Sequence, residues 1–225
     1  DDTVHGGNDD DVLGGFIGDD LLLGGRGQDA LWGSAGHDTA HGGTGDDTLG
    51  GATGNDSLTG GTGRDELWGS WGDDTLLGGS DADRLGGSHG DDSVEGGAGD
   101  DTVFGGLGHD VLFGGADDDL IYGAGGNDTI TGGAGDDTLY LGPGADQVHL
   151  DAGDGWDVLH YATLSEDRLV LDPALWGGGL AADAVVATFA TQETGSVRLD
   201  FGAGDGLTIE GLGSVAGLAD AIEIA

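Results

Sequence analysis

Seventeen aspartates recur at a fixed interval of nine residues. They are Asp2, Asp11, Asp20, Asp29, Asp38, Asp47, Asp56, Asp65, Asp74, Asp83, Asp92, Asp101, Asp110, Asp119, Asp128, Asp137 and Asp146. Two residues after each stands an apolar aliphatic, from Val4, Leu13 and Leu22 to Val148. A turn-forming Asp alone would not hold a phase of nine over so many copies. A carboxylate in every copy points to one shared task, and cation binding is the chemistry it suits. The chain has no Cys, and its seven His share no phase, so the donors are carboxylate and carbonyl oxygens. That set favours calcium over zinc or copper, and over magnesium, which demands a tight octahedron and keeps its waters.

A strict period means one small structural unit copied along an axis. With position 1 set at Gly6, the unit reads Gly-x-x-Gly-x-Asp-x-aliphatic-x. Position 1 is Gly from Gly6 through Gly132, and position 4 is Gly except at Asp9, Asp81 and Asp117. Six residues rich in Gly and Asp predict a turn, because Gly reaches backbone angles closed to other residues. The last three predict a short strand with position 8 facing inward and positions 7 and 9 outward. Position 2 adds a second period of eighteen. It is Gly in alternate units (Gly7, Gly25, Gly43 and so on to Gly133), while the intervening units include Phe16, Ser34, Ala52, Ser70, Ser88 and Ala124. Two strand–turn units per coil follow, giving two parallel sheets and two columns of stacked turns. Eight coils at about 4.8 Å each would be roughly 40 Å long.

Composition limits the alternatives. The 225 residues include 54 Gly and carry a net charge of −39. Two Pro and a Gly period of nine exclude collagen, and the charge excludes nucleic acid or an anionic membrane as partner. No apolar run approaches a membrane span and no signal peptide is visible. The absence of Met and an opening in mid-repeat suggest a piece of a longer chain.

High charge and high Gly content favour an unfolded chain. One buried aliphatic per nine residues is a small return for ordering that much backbone. Stacking each turn column also places Asp beside Asp about every 4.8 Å, which is repulsive. A divalent cation between stacked turns reverses that sign. Sites between turns eighteen residues apart, from Asp2 with Asp20 to Asp128 with Asp146, would number at most about fifteen and neutralise most of the charge.

The repeat resembles the RTX (repeat-in-toxin) nonapeptide, Gly-Gly-x-Gly-x-Asp-x-aliphatic-x, for example in Gly96-Gly97-Ala98-Gly99-Asp100-Asp101-Thr102-Val103-Phe104 and Gly132-Gly133-Ala134-Gly135-Asp136-Asp137-Thr138-Leu139-Tyr140. The resemblance covers about residues 1–149. It implies an all-β fold, a right-handed parallel β-roll, with calcium held between stacked turns by turn carbonyls and the seventeen aspartates. It further implies export from a Gram-negative bacterium by type I secretion machinery, with folding on extracellular calcium. Departures are the three aspartates at position 4 and the last unit, Leu141-Gly142-Pro143-Gly144-Ala145-Asp146.

The register breaks after His149, so the chain is read as a roll over 1–149 and a β-rich cap over 150–225. Asp151-Ala-Gly-Asp-Gly-Trp156-Asp157 looks like a shifted repeat. Strands are expected near Arg168–Leu171, Val185–Thr191, Ser196–Phe201 and Leu207–Glu210, with turns at Glu193–Gly195 and Gly202–Gly206 and a short helix from Ser214 to Asp220. A solenoid end exposes core and unpaired strand edges, so a cap is required. The tail from Asp220 is similar in character to the family's C-terminal secretion signals.

Other features carry less. Extra acids at position 5, such as Asp19, Asp46 and Asp100, read as solvated charge, and the histidines as surface. Trp32, Trp68, Phe104, Tyr122 and Tyr140 occupy position 9 on one outer face, where aromatics stabilise sheets by cross-strand contact. Gly86-Gly87-Ser88-His89-Gly90 matches a nucleophile pattern but lies in phase with the repeat, not at a strand-to-helix elbow. The expected function is a non-catalytic, calcium-binding module of a secreted protein, folding on calcium and stabilising the upstream part of the same polypeptide. The alternatives are a surface, adhesin or polysaccharide-binding module using the aromatic face, or the accessory module of a hydrolase or epimerase whose catalytic domain lies upstream.

Overall fold

The computed structural model describes residues 1–163, 165–212 and 214–225. Fifteen strands of six residues each, from Thr3–Asn8 to Thr129–Ala134, follow one another every nine residues. They alternate between two sheets, and each pairs in parallel with the strand one coil away. The register is fixed at eighteen: Leu22 pairs with Ala40 and Ala40 with Leu58 in one sheet, Leu31 with Leu49 and Leu49 with Leu67 in the other.

The strands are twice as long as expected from the aliphatic segment alone. Pairing continues through positions 1 to 3, as Gly7 with Gly25 and Asn8 with Arg26. Glycine lets the backbone bend at position 2 without leaving the ladder. In one sheet these glycines take φ of 111° to 132°, open only to Gly. In the other, Phe16, Ser34, Ala52, Ser70, Ser88 and Ala124 take φ of 73° to 89°, which an L-residue can adopt at some cost. The eighteen-residue sequence period therefore reports two unequal bends.

The interior is narrow. Position 8 supplies two facing aliphatic ladders, and Leu22 through Val148 are buried at nearly every step. Both ladders run past the break in sequence register. Leu139 pairs with Leu159 and then Ile209, while Val148 pairs with Leu169 and then Ile222. Beyond them the strands Ser196–Gly202 and Ala190–Gln192 add antiparallel pairs to one sheet.

Four C-terminal expectations match in place: strands Arg168–Leu171, Ser196–Gly202 and Asp205–Glu210, and a helix, shortened to Leu218–Ala221. The strand expected over Val185–Thr191 is instead a helix, Ala182–Phe189, with only Ala190–Gln192 extended. Ala182, Val185, Val186 and Phe189 fall at i, i+3, i+4 and i+7 and all pack on the core, so helical periodicity outweighs the β-branched pair.

The outer aromatic row stacks on itself. Phe104, Tyr122, Tyr140 and His160 lie ring on ring with centroids 5.0, 4.7 and 4.5 Å apart. Lower in the same row, Trp32 and Trp68 fill the space above Gly50 and Gly86, where a Cβ would lie 2.6 Å from each indole. The aromatic faces are thus largely spent on neighbouring coils.

Candidate metal centre

The turns stack in two columns, and side chains tie the inner edge of each repeat turn and the outer edge of most. Along the inner edge, the N–H of each position-6 Asp donates to Oδ1 of the Asp one coil ahead, as Asp65 to Asp83 at 2.7 Å and Asp74 to Asp92 at 2.8 Å. Along the outer edge the direction reverses. The N–H at position 5 donates to the position-5 side chain one coil behind, as Asp91 to Asp73 at 3.0 Å and Asp136 to Asp118 at 2.8 Å. Asn55 and Asn127 donate to Nδ1 of His37 and His109 at 2.8 Å, so each of these rings accepts through Nδ1. Many position-5 residues are therefore ladder acceptors, more than the solvated charge expected.

The inner carboxylates are the buried ones. Of the seventeen register aspartates, the fifteen from Asp20 to Asp146 are at most 4 % exposed, while Asp2 is exposed and Asp11 half-buried at the open first coil. Each of the fifteen holds Oδ2 buried with no hydrogen-bond partner. One such atom is an anomaly, since an unpartnered buried oxygen costs about 1–3 kcal/mol and more when charged. Fifteen recur in register along the two turn columns.

Position-1 glycine makes the space for them. A Cβ on Gly15 would lie 2.5 Å from Asp20 Oδ2 and 2.9 Å from the Gly33 carbonyl, and one on Gly24 2.5 Å from Asp29 Oδ2 and 2.6 Å from the Gly42 carbonyl. Carboxylate and carbonyl oxygens from adjacent coils thus face the same small space. Within the repeats, the turn carbonyls at positions 4 and 5 accept no backbone hydrogen bond among the described residues. The oxygens that face this space, part carboxylate and part carbonyl, are hard ligands of the kind that suits calcium. Among the described residues no three His, Cys, Asp or Glu side chains converge, so a cation here would need turn carbonyls beside the carboxylates.

The departures from the repeat fit its geometry. Asp9, Asp81 and Asp117, at the Gly position 4, take φ of 76° to 86°, a region that Asp tolerates better than most residues. In the last unit Leu141 replaces Gly, yet its carbonyl faces Gly123 where the glycine carbonyl stands elsewhere, and Asp146 keeps an orphan Oδ2.

Burial sets the protonation. It pushes the carboxyls of Asp47, Asp92, Asp101, Asp110, Asp128, Asp137 and Asp146 up to about 6, those of Asp65, Asp74 and Asp83 to about 7, and that of Asp119 to about 8. The donated backbone N–H pulls each down in part, and neighbouring carboxylates push it up again. Asp46, on the outer edge, is shifted the opposite way by the N–H and guanidinium of Arg64. The inner row resists carrying negative charge unless a cation compensates it.

Two aspartates join the columns without holding the nine-residue phase. Asp137 N–H donates to Asp157 Oδ1 at 3.1 Å, and Asp146 N–H to Asp167 Oδ1 at 3.0 Å, over separations of twenty and twenty-one. Both are buried. The signal for them was present as Asp157-Val158-Leu159 and Asp167-Arg168-Leu169, each an Asp two residues before a core aliphatic.

Comparison with known proteins agrees with this geometry. No match was found among curated proteins. An extracellular lipase, LipA from Serratia marcescens, matches over 92 % of this chain at 22 % identity with a TM-score of 0.44. This chain spans 38 % of that lipase. A family model described as RTX calcium-binding nonapeptide repeat (four copies) matches residues 1–15, 14–49, 50–85, 86–121, 113–148 and 122–157. These segments run without a gap through 157 of the 225 residues, over the same turns that hold the buried aspartates, and the chain belongs to the RTX calcium-binding nonapeptide repeat family.

Proposed function

We propose that this chain is a calcium-driven folding module of a type I-secreted Gram-negative protein. In cytosol poor in calcium it stays unfolded, and outside the cell it folds as calcium enters the turn columns. Residues 1–149 form the calcium-binding roll and residues 150–225 its cap. The ligands are the register aspartates, Asp2, Asp11, Asp20 and so on to Asp146, with turn carbonyls, for up to about fifteen ions. The ions neutralise the inner carboxylates and tie each coil to the next. The module itself is non-catalytic and stabilises the part of the polypeptide that precedes it.

The observation that supports this reading is the row of fifteen buried Oδ2 atoms without a partner. The burial penalty on these carboxylates disfavours the ion-free fold at neutral pH. Calcium converts the same row into a ligand set. The mutual stacking of Phe104, Tyr122, Tyr140 and His160 favours a sheet-stabilising role for the outer aromatics over a ligand platform.

The test is far-UV circular dichroism of the chain in chelator, followed by calcium titration with magnesium as control. A cooperative coil-to-sheet transition with calcium and none with magnesium is expected. A chain already folded in chelator at neutral pH refutes the proposal.

A further inference from the structure

The outer aromatic row ends beside an open cleft of about 550 Å³, within the range of about 300–1,000 Å³ typical of ligand clefts. Tyr122 and Tyr140 line it from position 9, Leu107 and Pro143 from position 3, and Tyr161 from beyond the last repeat. The lining is almost wholly apolar. Tyr122 and Tyr140 have both faces covered by ring neighbours, so they present their edges. Tyr161 leaves the stack. Its ring is tilted 42° to that of Tyr140, with centroids 5.8 Å apart, and the residue is 71 % exposed.

Two residues keep the cleft open without serving the fold. Tyr161 takes φ of 63°, a left-handed backbone that a bulky aromatic adopts only at a cost, and its ring gains little burial in return. Gly125 stands at position 3, where the other units of this sheet carry Ile17, Ala35, Thr53, Trp71, His89, Leu107 and Pro143. Its φ is not positive, and a Cβ there would meet only Leu107 Cδ2 at 3.3 Å and the Gly106 carbonyl at 3.9 Å. The backbone therefore does not require glycine at 125, and the missing side chain leaves room between Leu107 and Pro143.

The surroundings are free of charge, which is unusual in a chain of net charge −39. In the three coils that line the cleft, the outward positions 7 and 9 carry Thr102, Phe104, Leu120, Tyr122, Thr138 and Tyr140, whereas two coils lower in the same sheet stand Glu66 and Arg84. At position 5 of the adjoining turns, His109, Asn127 and Ala145 replace the acids Asp19, Asp73 and Asp91 of the same column. Acids return at the margin. Across Tyr161, one neighbouring depression holds Glu166 and another Glu210. No Arg lines the cleft or either depression among the described residues. A centre poor in charge and rich in Tyr, inside a polar rim, is the usual anatomy of a protein docking patch.

We propose that this cleft docks a basic peptide segment of a partner protein, anchored by an aromatic or leucine side chain. The electropositive ring edges of Tyr122 and Tyr140 suit the face of an aromatic guest, and Tyr161 adds an exposed ring. Glu166 and Glu210 stand where Lys or Arg beside the anchor would reach. The net charge repels a second copy or an anionic lipid and attracts a basic partner. The docking site needs the folded roll and goes beyond its calcium chemistry.

The experiment is fluorescence anisotropy on the full chain in calcium. It compares labelled peptides Lys-Lys-Leu-Trp-Lys-Lys, Lys-Lys-Ser-Ser-Lys-Lys and Ser-Ser-Leu-Trp-Ser-Ser at about 0.15 M salt, which screens non-specific attraction. The first should bind at least about tenfold more tightly than either of the others. Gly125→Leu fills the cleft with a side chain that position 3 already carries as Leu107. It should remove the margin over the Ser-Ser peptide and leave the weak binding of that peptide unchanged. Circular dichroism checks the sheet content of each variant. Tyr161→Asn, whose side chain tolerates the left-handed backbone, carries the same test if Gly125→Leu misfolds. Glu166→Gln combined with Glu210→Gln should narrow only the margin over the uncharged peptide.

Equal binding of the two basic peptides by the parent overturns the proposal, as does a margin that survives in folded Gly125→Leu and Tyr161→Asn. An uncharged peptide that binds as tightly as the first overturns the basic partner. Phosphatidylcholine vesicles that bind the parent but not Gly125→Leu, with no preference among the peptides, would assign the cleft to lipid and overturn it too.

Discussion

Without calcium the fold of this chain should depend on acid, and the sign follows from the buried carboxyls. In the fold, Asp65, Asp74 and Asp83 are raised to about 7 from the ordinary 3.8. The folded state therefore holds more protons than the unfolded state between about pH 4 and 7, and stability falls as pH rises through that window. A difference of about three units is worth about 4 kcal/mol per group. Three such groups, were they independent, would lose about 12 kcal/mol, comparable to the whole stability of a typical domain at 5–15 kcal/mol. The repulsion between stacked neighbours is shared, so the true sum is smaller, but eight further register carboxyls are raised to about 6 or 8. The chelated chain should be unfolded at pH 7.5 and gain sheet signal as pH falls toward 5. The assay is far-UV circular dichroism in chelator over pH 5 to 8 in dilute solution, with a calcium-saturated parallel. Calcium should hold the fold through pH 8, because it replaces the protons with a tighter charge partner. Sheet content in chelator that is flat across this range, or that falls on acidification, refutes the reasoning.

Three further outcomes are expected. Asp101→Asn should lower the number of calcium ions bound, while Asp100→Asn, which still accepts the Asp118 N–H on the outer edge, should leave it unchanged. Calorimetric titration of the pair checks this, and equal losses would refute the distinction between inner and outer acids. Leu85→Ala removes a fully buried side chain that pairs with Leu67 and Val103 on either side, so urea unfolding in calcium should show a loss of about 2–5 kcal/mol. Gly97→Ala forces a Cβ onto φ of 123° against the Gly79 carbonyl and should cost more than about 1 kcal/mol, whereas Ser88→Ala, at φ of 88° in the other sheet, should change stability by less than about 0.5 kcal/mol. Thermal melts of both in calcium decide whether the two bends differ as described.

The roll was legible because its rules are local and repeated. Aspartate and aliphatic in one phase of nine identify the turn, the inward residue and the repeated donor, and the alternation of Gly7 with Phe16 or Gly25 with Ser34 announces two units per coil. The C-terminal third lacks repetition, and there single-segment cues compete. Val185 and Val186 suggested a strand on β-branching, but burial of Ala182, Val185, Val186 and Phe189 along one helical face prevailed. Strand length was also short by half, because pairing through Gly-Gly depends on a neighbouring coil that supplies partners for both glycines.

The sequence by itself determined the period, the sheet assignment of each unit, the core ladder and the place of one carboxylate in every turn, since each follows from residue type and spacing. Only the tertiary structure decided which oxygen of each Asp is tied and which is free, because Oδ1 is claimed by an N–H eighteen residues away while Oδ2 faces space that glycine leaves open. It also decided that Asp157 and Asp167 continue the columns. Extra residues destroy a sequence period but cost little in space when they bulge outside the stacked turn, so phase was lost along the chain and kept along the axis.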